Sequence, residues 1–564
     1  MLRPISCLLA MAATFLTVAA GERPNVLLIC VDDLKPLLGC YGDPLAKTPA
    51  IDKLAARSVM FERAYCNQAI CSPSRNALMT GLRPQTLGIY DLPTNFRSVV
   101  PNAVTLPQVF IQNGYKAEAL GKIYHHGHGN FDDRASWSVP WWISGAAPYA
   151  LKESAPPGAN PGAPSEVADV PDDTYPDGLS AAEAIRRLQA AKQDPNTPFF
   201  LAVGFIKPHL PFVAPKKYWD LYDPAKITLA PLRSAPAGSP GYAPGNSGEL
   251  RKYLGMPASG ALSDDLQRHL IHGYYAATSY ADAQIGRILD ELDRLGLAQN
   301  TLVILWGDHG WHLGDHGLWC KHTNYEEAAR IPLLISAPGG KAMAGSRTTS
   351  LVETVDIYPT ICELAGLSAP AGLDGRSFAA ALADPSKPAR DHVIHVYPRN
   401  RPGSGEVIGR AIRTERYRMV EWKKPGADPA TAEFELFDYQ SDPLEKRNLA
   451  GEQPEVLTKL RALLATHPEA KPQYKGPRLA EPKGAGVAND AAKPATDRNA
   501  LFNRRDSNKD AKLSPEEFAK GQPDPEAVPA RFKRFDVDAD GFLLRDEFVH
   551  PPGAPEKSAA DSAE

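Results

Sequence analysis

Val26-Leu27-Leu28-Ile29-Cys30-Val31-Asp32-Asp33 is six apolar residues without interruption followed by two acids. A strand buried on both faces reads this way, because neither face can carry polar side chains. Acids at its end belong at the C-terminal edge of an open sheet, where α/β proteins build their sites. Outward from this strand the chain alternates. Thr48-Pro49 opens a helix, with threonine as cap and proline in the first turn. Thr105 to Gly114 reads as a helix closed by glycine, Phe199 to Phe205 and Leu302 to Trp306 as strands, and Tyr274 to Leu297 as an amphipathic helix. Alternation on this scale predicts an α/β/α sandwich around a large sheet. Gly145 to Gly178 and Ala230 to Asp264 interrupt it with Pro, Gly, Ala and Ser, and loops of that length are expected to shape a substrate entrance.

After residue 388 the texture changes. His392 to Tyr397, Gly409 to Thr414, Arg416 to Trp422 and Phe434 to Phe437 read as a small antiparallel sheet, followed by a turn at Asp442-Pro443 and a helix from Pro454 to Thr466. The expected organisation is a leader over 1–20, a catalytic α/β domain over 22–388, a small-sheet subdomain over 389–470, a Pro/Ala/Gly/Lys linker over 471–496, a calcium-loop pair over 497–550 and a disordered tail over 551–564. The leader rests on Arg3, the apolar run Ile5 to Ala19 and the small residues Val18-Ala19-Ala20, which together read as a cleaved signal peptide and imply a periplasmic or secreted protein. No later stretch is long and apolar enough to span a bilayer.

The chain has 564 residues and a net charge of -4, so no broad basic face for nucleic acid is implied. Of seven cysteines, Cys7 lies in the leader, and the remaining six do not form a disulfide scaffold.

Two segments beyond the linker carry one calcium pattern. Asp506, Asn508, Asp510, Lys512 and Glu517 occupy positions one, three, five, seven and twelve of an EF-hand loop; Asp536, Asp538, Asp540, Phe542 and Glu547 repeat it. Position seven ligates through its backbone carbonyl, which is why Lys512 and Phe542 are acceptable there. Ala511 stands where the turn glycine belongs at position six, a departure that bears on the affinity of the first loop. Phe502, Phe518, Phe532, Phe535 and Phe548 are expected to pack the two hands together.

Several carboxylates must converge to hold a hard divalent cation. Asp32 and Asp33 end one apolar strand, and Asp308-His309 ends another. If the two strands are parallel neighbours, the acids meet at one edge, and three aspartates with one neutral donor suit calcium or magnesium better than zinc. Arg75, Lys122 and Lys321 are candidates to neutralise an anionic substrate, and His125 and His209 are candidate proton carriers. His126 and His128 beside His125, and His312, His316 and His322 near Lys321, leave open which histidines face the site.

Cys71-Ser72-Pro73-Ser74-Arg75 followed by Thr80-Gly81 gives these residues a common context, with Gly121-Lys122-Ile123-Tyr124-His125, Lys207-Pro208-His209-Leu210-Pro211 and Gly307-Asp308-His309-Gly310-Trp311. With Asp32-Asp33 they resemble the sulfatases of the alkaline-phosphatase-like superfamily, in the iduronate-2-sulfatase-like branch, over about residues 22 to 470. The resemblance implies a formylglycine made from Cys71 by a formylglycine-generating enzyme, and a calcium held by Asp32, Asp33, Asp308, His309 and the modified residue 71. It implies hydrolysis of a sulfate ester by attack of the hydrated formylglycine on sulfur. His209 or Lys321 would protonate the leaving alcohol and His125 would act as base. The expected substrate is a sulfated saccharide, with a 2-O-sulfated uronate as the specific candidate. Two other readings start from the same residues: a phosphatase, phosphodiesterase or phosphonate hydrolase on the same fold, and an inactive calcium-dependent binding protein relying on the C-terminal loops.

Overall fold

In the computed structural model the described residues are 23–125, 128, 130, 132–477, 502–503, 505–519, 528–536, 538 and 540–549. The leader over 1–20, His126, most of the linker and the tail lie outside them. The chain divides into two units, 1–486 and 487–564.

The larger unit is built on a seven-stranded mixed sheet. Its strands are β1 (Asn25–Val31), β2 (Val59–Tyr65), β3 (Lys116–Gly121), β5 (Phe199–Phe205), β7 (Thr301–Gly307), β10 (Arg330–Ser336) and β11 (Ser346–Glu353), in the order β11-β2-β10-β7-β1-β5-β3. Only β10 runs against its neighbours. Smaller pairs, β4 (Ser165–Ala168) with β6 (Phe212–Pro215) and β8 (His312–Leu313) with β9 (Trp319–Cys320), stand beside the main sheet.

β1 shows why the sheet is a sandwich filling. Val26, Leu28 and Cys30 enter one core with Leu78, Val109, Phe110 and Ile361; Leu27, Ile29 and Val31 enter the other with Leu54, Leu188, Ile285 and Ile288. The period-two alternation of a strand sends successive side chains into two different helical layers. Helices Cys71–Thr80, Leu106–Gln112 and Thr354–Leu364 supply the first layer; Pro49–Ala55, Pro176–Gln193 and Asp264–Arg294 supply the second.

Most expected elements are found within a few residues of their expected bounds. The long helix differs: it starts at Asp264, ten residues before the apolar pattern at Tyr274, because Ser263 caps it by accepting from Leu266 N at 3.3 Å. The C-terminal sheet has four antiparallel strands, β12 (His392–Arg401), β13 (Gly405–Thr414), β14 (Tyr417–Lys423) and β15 (Glu433–Asp438), with helix Pro454–Leu464 against it. Its first hairpin is longer than the apolar pattern, since the ladder continues through Arg399 to Arg401 and Gly405 to Val407, with Arg399, Asn400, Arg401 and Glu406 as polar side chains. The beginning of the linker is also ordered: Lys471 N donates to Gln85 O and Tyr474 N to Gly88 O.

In the smaller unit, β16 (Lys512–Leu513) pairs antiparallel with β17 (Leu543–Leu544). Phe502, Leu513, Phe518, Val528, Phe532, Leu543 and Phe548 form its core, with Phe535 packed against it. Among the described residues no helix is long and apolar enough to cross a membrane.

Candidate active site

Parallel strands deliver their C-terminal ends to one edge, and four consecutive strands here carry the site. β1 pairs in register with β7, Val31 opposite Gly307, so Asp32-Asp33 and Asp308-His309 emerge side by side. On the other side β5 leads to Lys207 and His209, and β3 leads to Lys122. The approach is tight. A Cβ on Gly121 (φ +66°) would stand 2.1 Å from Gly204 O, and one on Gly204 would stand 2.0 Å from Lys122 O.

Cys71 opens the helix Cys71–Thr80, all ten residues of which are buried. Proline is tolerated in a first turn, and Arg75 four residues on lies on the same face as Cys71. Gly81 in the left-handed region (φ +67°) ends the helix. The pentapeptide is therefore a rigid first turn that points a thiol and a guanidinium at the same acids. Ser74 Oγ fastens it by donating to Asp308 O at 2.5 Å.

Cys71 Sγ lies 3.4 Å from Asp32 Oδ1 and 3.4 Å from His309 Nε2, with Lys122 Nζ at 3.7 Å. One ligand atom from each of Asp32, Cys71, Asp308 and His309 falls within 4.8 Å of the others, and the same holds for Asp32, Asp33, Cys71 and His209. Asp32, Asp33, Asp308 and His309 are fully buried. Asp33 Oδ1 is buried and accepts no hydrogen bond, although Lys321 Nζ stands 3.1 Å away. Burial pushes the Asp33 carboxyl well above the usual carboxylate range; Lys321 opposes this and the neighbouring Asp32 adds to it. A buried, under-satisfied carboxylate among other carboxylates is what a divalent cation relieves. The donor set thus fits a hard metal ion.

The cations sit directly against these acids and are themselves buried. Arg75 donates to Asp308 Oδ2 at 2.8 Å and to Asp32 Oδ1 at 3.4 Å, and Lys122 pairs closely with Asp32 Oδ2. Burial alone would push Asp32 up, but Lys122 and Arg75 hold it well below the carboxylate range. Lys321 donates to Asp33 Oδ2 at 3.2 Å and lies over the Trp311 ring, 4.8 Å from its centroid. Burial pushes the Cys71 thiol up to about 12, with Asp32 adding to the effect, so the unmodified side chain is a thiol and not a thiolate nucleophile.

The histidines separate. His125 is buried against Lys122 and Asp32, its Nε2 2.9 Å from His128 Nδ1 and its Nδ1 without a hydrogen-bond partner. Burial, then Lys122, lower it to about 2, so it is neutral. Burial, then Lys321, lower His209 to about 3. His312 bonds Thr323 Oγ1 at 2.9 Å and His316 bonds Leu444 O at 3.0 Å, which removes both to the packing behind the site.

Glu249 is a residue the motif reading did not find. It comes from the long loop after Ala230 and places Oε2 2.9 Å from Lys321 Nζ and Oε1 3.2 Å from His209 Nε2. The Pro- and Gly-rich composition of the loop marked an entrance, but not which of its side chains reaches inward. Backbone strain gathers at the same place: Asp33, Ser247, Cys320 and His322 all have φ between +54° and +72°. Non-glycine residues persist there only when the surrounding structure forces them, which is common at functional sites.

In the smaller unit Ala511 N and Gly541 N donate to Asp506 Oδ2 and Asp536 Oδ2 at 3.0 and 3.1 Å, and Glu517 and Glu547 accept from Ser507 N and Leu544 N, both at 2.9 Å. Ligand atoms of Asp536, Asp538 and Asp540 lie within 4.8 Å of one another.

A sequence model of the sulfatase family matches residues 24–367, and one for the C-terminal region of N-sulphoglucosamine sulphohydrolase matches 314–469. Iduronate 2-sulfatase of Mus musculus is 36% identical over 507 residues, covering 76% of this chain and 91% of the relative. The Homo sapiens enzyme of that name is 35% identical, covering 75% and 90%. A solved structure in complex with its substrate D-glucosamine-2-N,6-O-disulfate matches with TM-score 0.64 at 22% identity, covering 79% of this chain and 97% of that one. The phosphonate monoester hydrolase of Agrobacterium radiobacter matches with TM-score 0.63 at 24% identity, covering 79% and 96%. At these identities the structural likenesses speak for the fold alone. The family model over most of the length, with relatives above one-third identity, places the chain in the sulfatase family, as a sulfuric ester hydrolase.

Proposed function

We propose that the protein is an exported, formylglycine-dependent sulfatase that removes sulfate from a saccharide, with a 2-O-sulfated uronate as its substrate. The observation that carries this reading is the position of Cys71 Sγ, 3.4 Å from both Asp32 Oδ1 and His309 Nε2 at the centre of the buried acids. The uronate rests on the iduronate 2-sulfatase relatives, and export on the leader read over residues 1–20.

Asp32, Asp33, Asp308 and His309 would hold calcium, with magnesium also compatible with the oxygen-rich set. When present, formylglycine supplies a hydrated aldehyde as oxygen nucleophile and the metal supplies Lewis acidity. The chain's own residues do the rest. Arg75, Lys122 and Lys321 compensate the sulfate's negative charge, which otherwise repels any oxygen nucleophile. His125, neutral and with Nδ1 unpartnered, is a proton acceptor beside Lys122. Of the two candidate acids, Lys321 carries the proton for the departing alcohol, while His209, lowered to about 3, stands neutral beside it. Cys71 and its pentapeptide are buried inside a helix, so a formylglycine-generating enzyme would have to reach them before the fold closes. The paired C-terminal loops would bind calcium as EF-hands, using Asp506, Asn508, Asp510, Lys512 and Glu517 in the first and Asp536, Asp538, Asp540, Phe542 and Glu547 in the second.

The test is a panel of defined sulfated saccharides offered to protein whose Cys71 peptide is shown by mass to carry the aldehyde, with calcium and with chelator. Sulfate release from a terminal 2-O-sulfated uronate, abolished by chelation, is the expected result. Release from other sulfated sugars but from no uronate 2-sulfate would overturn the substrate assignment.

A further inference from the structure

Glu249 stands where a substrate's charge must be accommodated. Its oxygens lie 2.9 and 3.0 Å from Lys321 Nζ, 3.2 Å from His209 Nε2 and 3.7 Å from His322 Nε2. The position is enforced. Ser247 (φ +56°), Cys320 (φ +72°) and His322 (φ +54°) hold left-handed backbone on both sides of the ion pair. Ser247 Oγ accepts from Trp319 N at 2.9 Å, and Arg399 donates to Ala243 O at 3.0 Å and to His322 O, so the loop and the Lys321 turn are fastened to each other. Beside Glu249 opens a cleft of about 320 Å3 lined by Asn246, Lys252, Lys321, Tyr397 and Arg399.

The formal charges give this position a meaning. Arg75, Lys122 and Lys321 balance Asp32, Asp33 and Asp308. Beyond them, Lys207 and Asp177 contribute one charge of each sign, Asp177 accepting from the Lys207 backbone N–H at 2.8 Å. Glu249 is a further negative charge set directly against Lys321, in a cleft that Lys252 and Arg399 also line. Without Glu249 the site would be one unit more positive. A sulfate monoester carries one negative charge; a phosphate monoester carries close to two above its second pKa of about 6. Fixed charges a few ångströms apart in a poorly solvated site discriminate strongly between such ligands.

We propose that Glu249 is a specificity residue: its carboxylate lowers the positive charge around Lys321 so that the site accepts a monoanionic ester and disfavours a dianionic one. The proposal rests on the sulfate-ester reading above, and binding alone tests it. Protein in its Cys71 thiol form, loaded with calcium, is titrated by calorimetry at about pH 8 with phenyl sulfate, phenyl phosphate and the monoanionic phenyl methylphosphonate. Glu249→Gln should move the phosphate-to-sulfate affinity ratio about tenfold toward phosphate, while the methylphosphonate follows the sulfate. Glu249→Asp, which keeps the charge, should hold the wild-type ratio. In aldehyde-bearing protein the ratio of kcat/KM values should shift in the same direction. A Gln variant whose ratio stays within about twofold of wild type overturns the proposal, as does a parallel loss of all three ligands, which would report damaged packing. If no sulfate ester is turned over, the sulfatase reading fails while the titrations still decide the role of Glu249.

Discussion

Two regions of this chain gather aspartates, and they solve the problem of like charge in opposite ways. At the C-terminal edge of the main sheet, Asp32, Asp33 and Asp308 are fully buried, and each has a chain cation against it: Lys122 and Arg75 on Asp32, Lys321 on Asp33, Arg75 on Asp308. In the C-terminal loops Asn508, Asp510, Asp538 and Asp540 are exposed, and the carboxylates accept from their own loop's backbone, as Asp510 does from Lys512 N and Asp540 from Phe542 N, both at 2.9 Å. Water can screen the second set, so the loop needs little more than its turn. The first set has no water to rely on, and burying it unpaired would cost several kcal/mol per ion. The buried cluster must therefore be assembled with its counter-ions, while the exposed aspartates can stand in water without them.

The sharpest way to separate the regions is Cys71→Ala. The side chain is small and buried, so the truncation should lower stability by only about 1 kcal/mol, while sulfate release falls to background. Full activity in this variant, measured beside an unchanged melting curve, would remove Cys71 from the chemistry.

Arg75→Leu tests the counter-ion argument itself. The guanidinium is fully buried, is bonded to Asp308 and Asp32, and also donates to Lys122 O and to Ile123 O at 3.1 Å. Its loss strands the buried Asp308 carboxylate, leaves Asp32 with Lys122 alone, and should destabilise the larger unit by about 3–5 kcal/mol in denaturant titration without metal. Asp540→Ala in the exposed loop should cost less than about 0.5 kcal/mol under the same conditions. Comparable costs at the two positions would dissolve the contrast.

Acid offers a third test, at Glu326. Burial would raise its pKa, but Arg413 and the Tyr65 hydroxyl hold it at about 2. Its folded value lies below the unfolded value of about 4.3. The stability it contributes is therefore complete above about pH 5 and disappears as pH falls through about 2. Glu326→Gln should be less stable than wild type near neutrality by on the order of 2–3 kcal/mol, and the gap should close on the way to pH 2. A gap that widens on acidification would reverse the sign assigned here.

The buried region was far more legible in the sequence than its entrance. A strand that alternates between two cores and ends in acids can be read from eight residues, because its neighbours' registers add no further requirement: β1 and β7 meet at Val31 and Gly307 since both are short, apolar and parallel. The Cys71 turn is equally local, its thiol and guanidinium separated by one helical turn. Glu249 was illegible for the complementary reason. Its partner Lys321 lies 72 residues away, and the loop between strands has no periodicity to say which residue turns inward. The early start of the Asp264–Arg294 helix was hidden because its first turn, Asp264-Asp265, is acidic and looks like loop, although acids there complement the helix dipole. The C-terminal calcium pattern reads easily, because five expected ligand positions within twelve residues are a local constraint.

The smallest predicted effect lies within the exposed region, where the two loops can be played against each other. Ala511 and Gly541 occupy the same loop position, with φ of +64° and +84°, and both donate to the first aspartate of their loop. The shared backbone shape costs Gly nothing, whereas Ala in the left-handed region pays about 1–2 kcal/mol. Ala511→Gly releases that strain but returns some of it as unfolded-state entropy, about 0.4–1 kcal/mol. The net gain should be about 0.5 kcal/mol, or a two- to threefold tighter calcium affinity in the first loop if ion binding orders the turn. Gly541→Ala should weaken the second loop by a similar factor. Calcium titrations of the two variants, in full-length protein whose buried site is already loaded, read both changes. Opposite shifts of matching size would mean that one backbone torsion sets the difference between the loops. Equal affinities throughout would mean that the ligand oxygens alone decide it, and that the turn is as indifferent to its residue as water-exposed charge is to its neighbours.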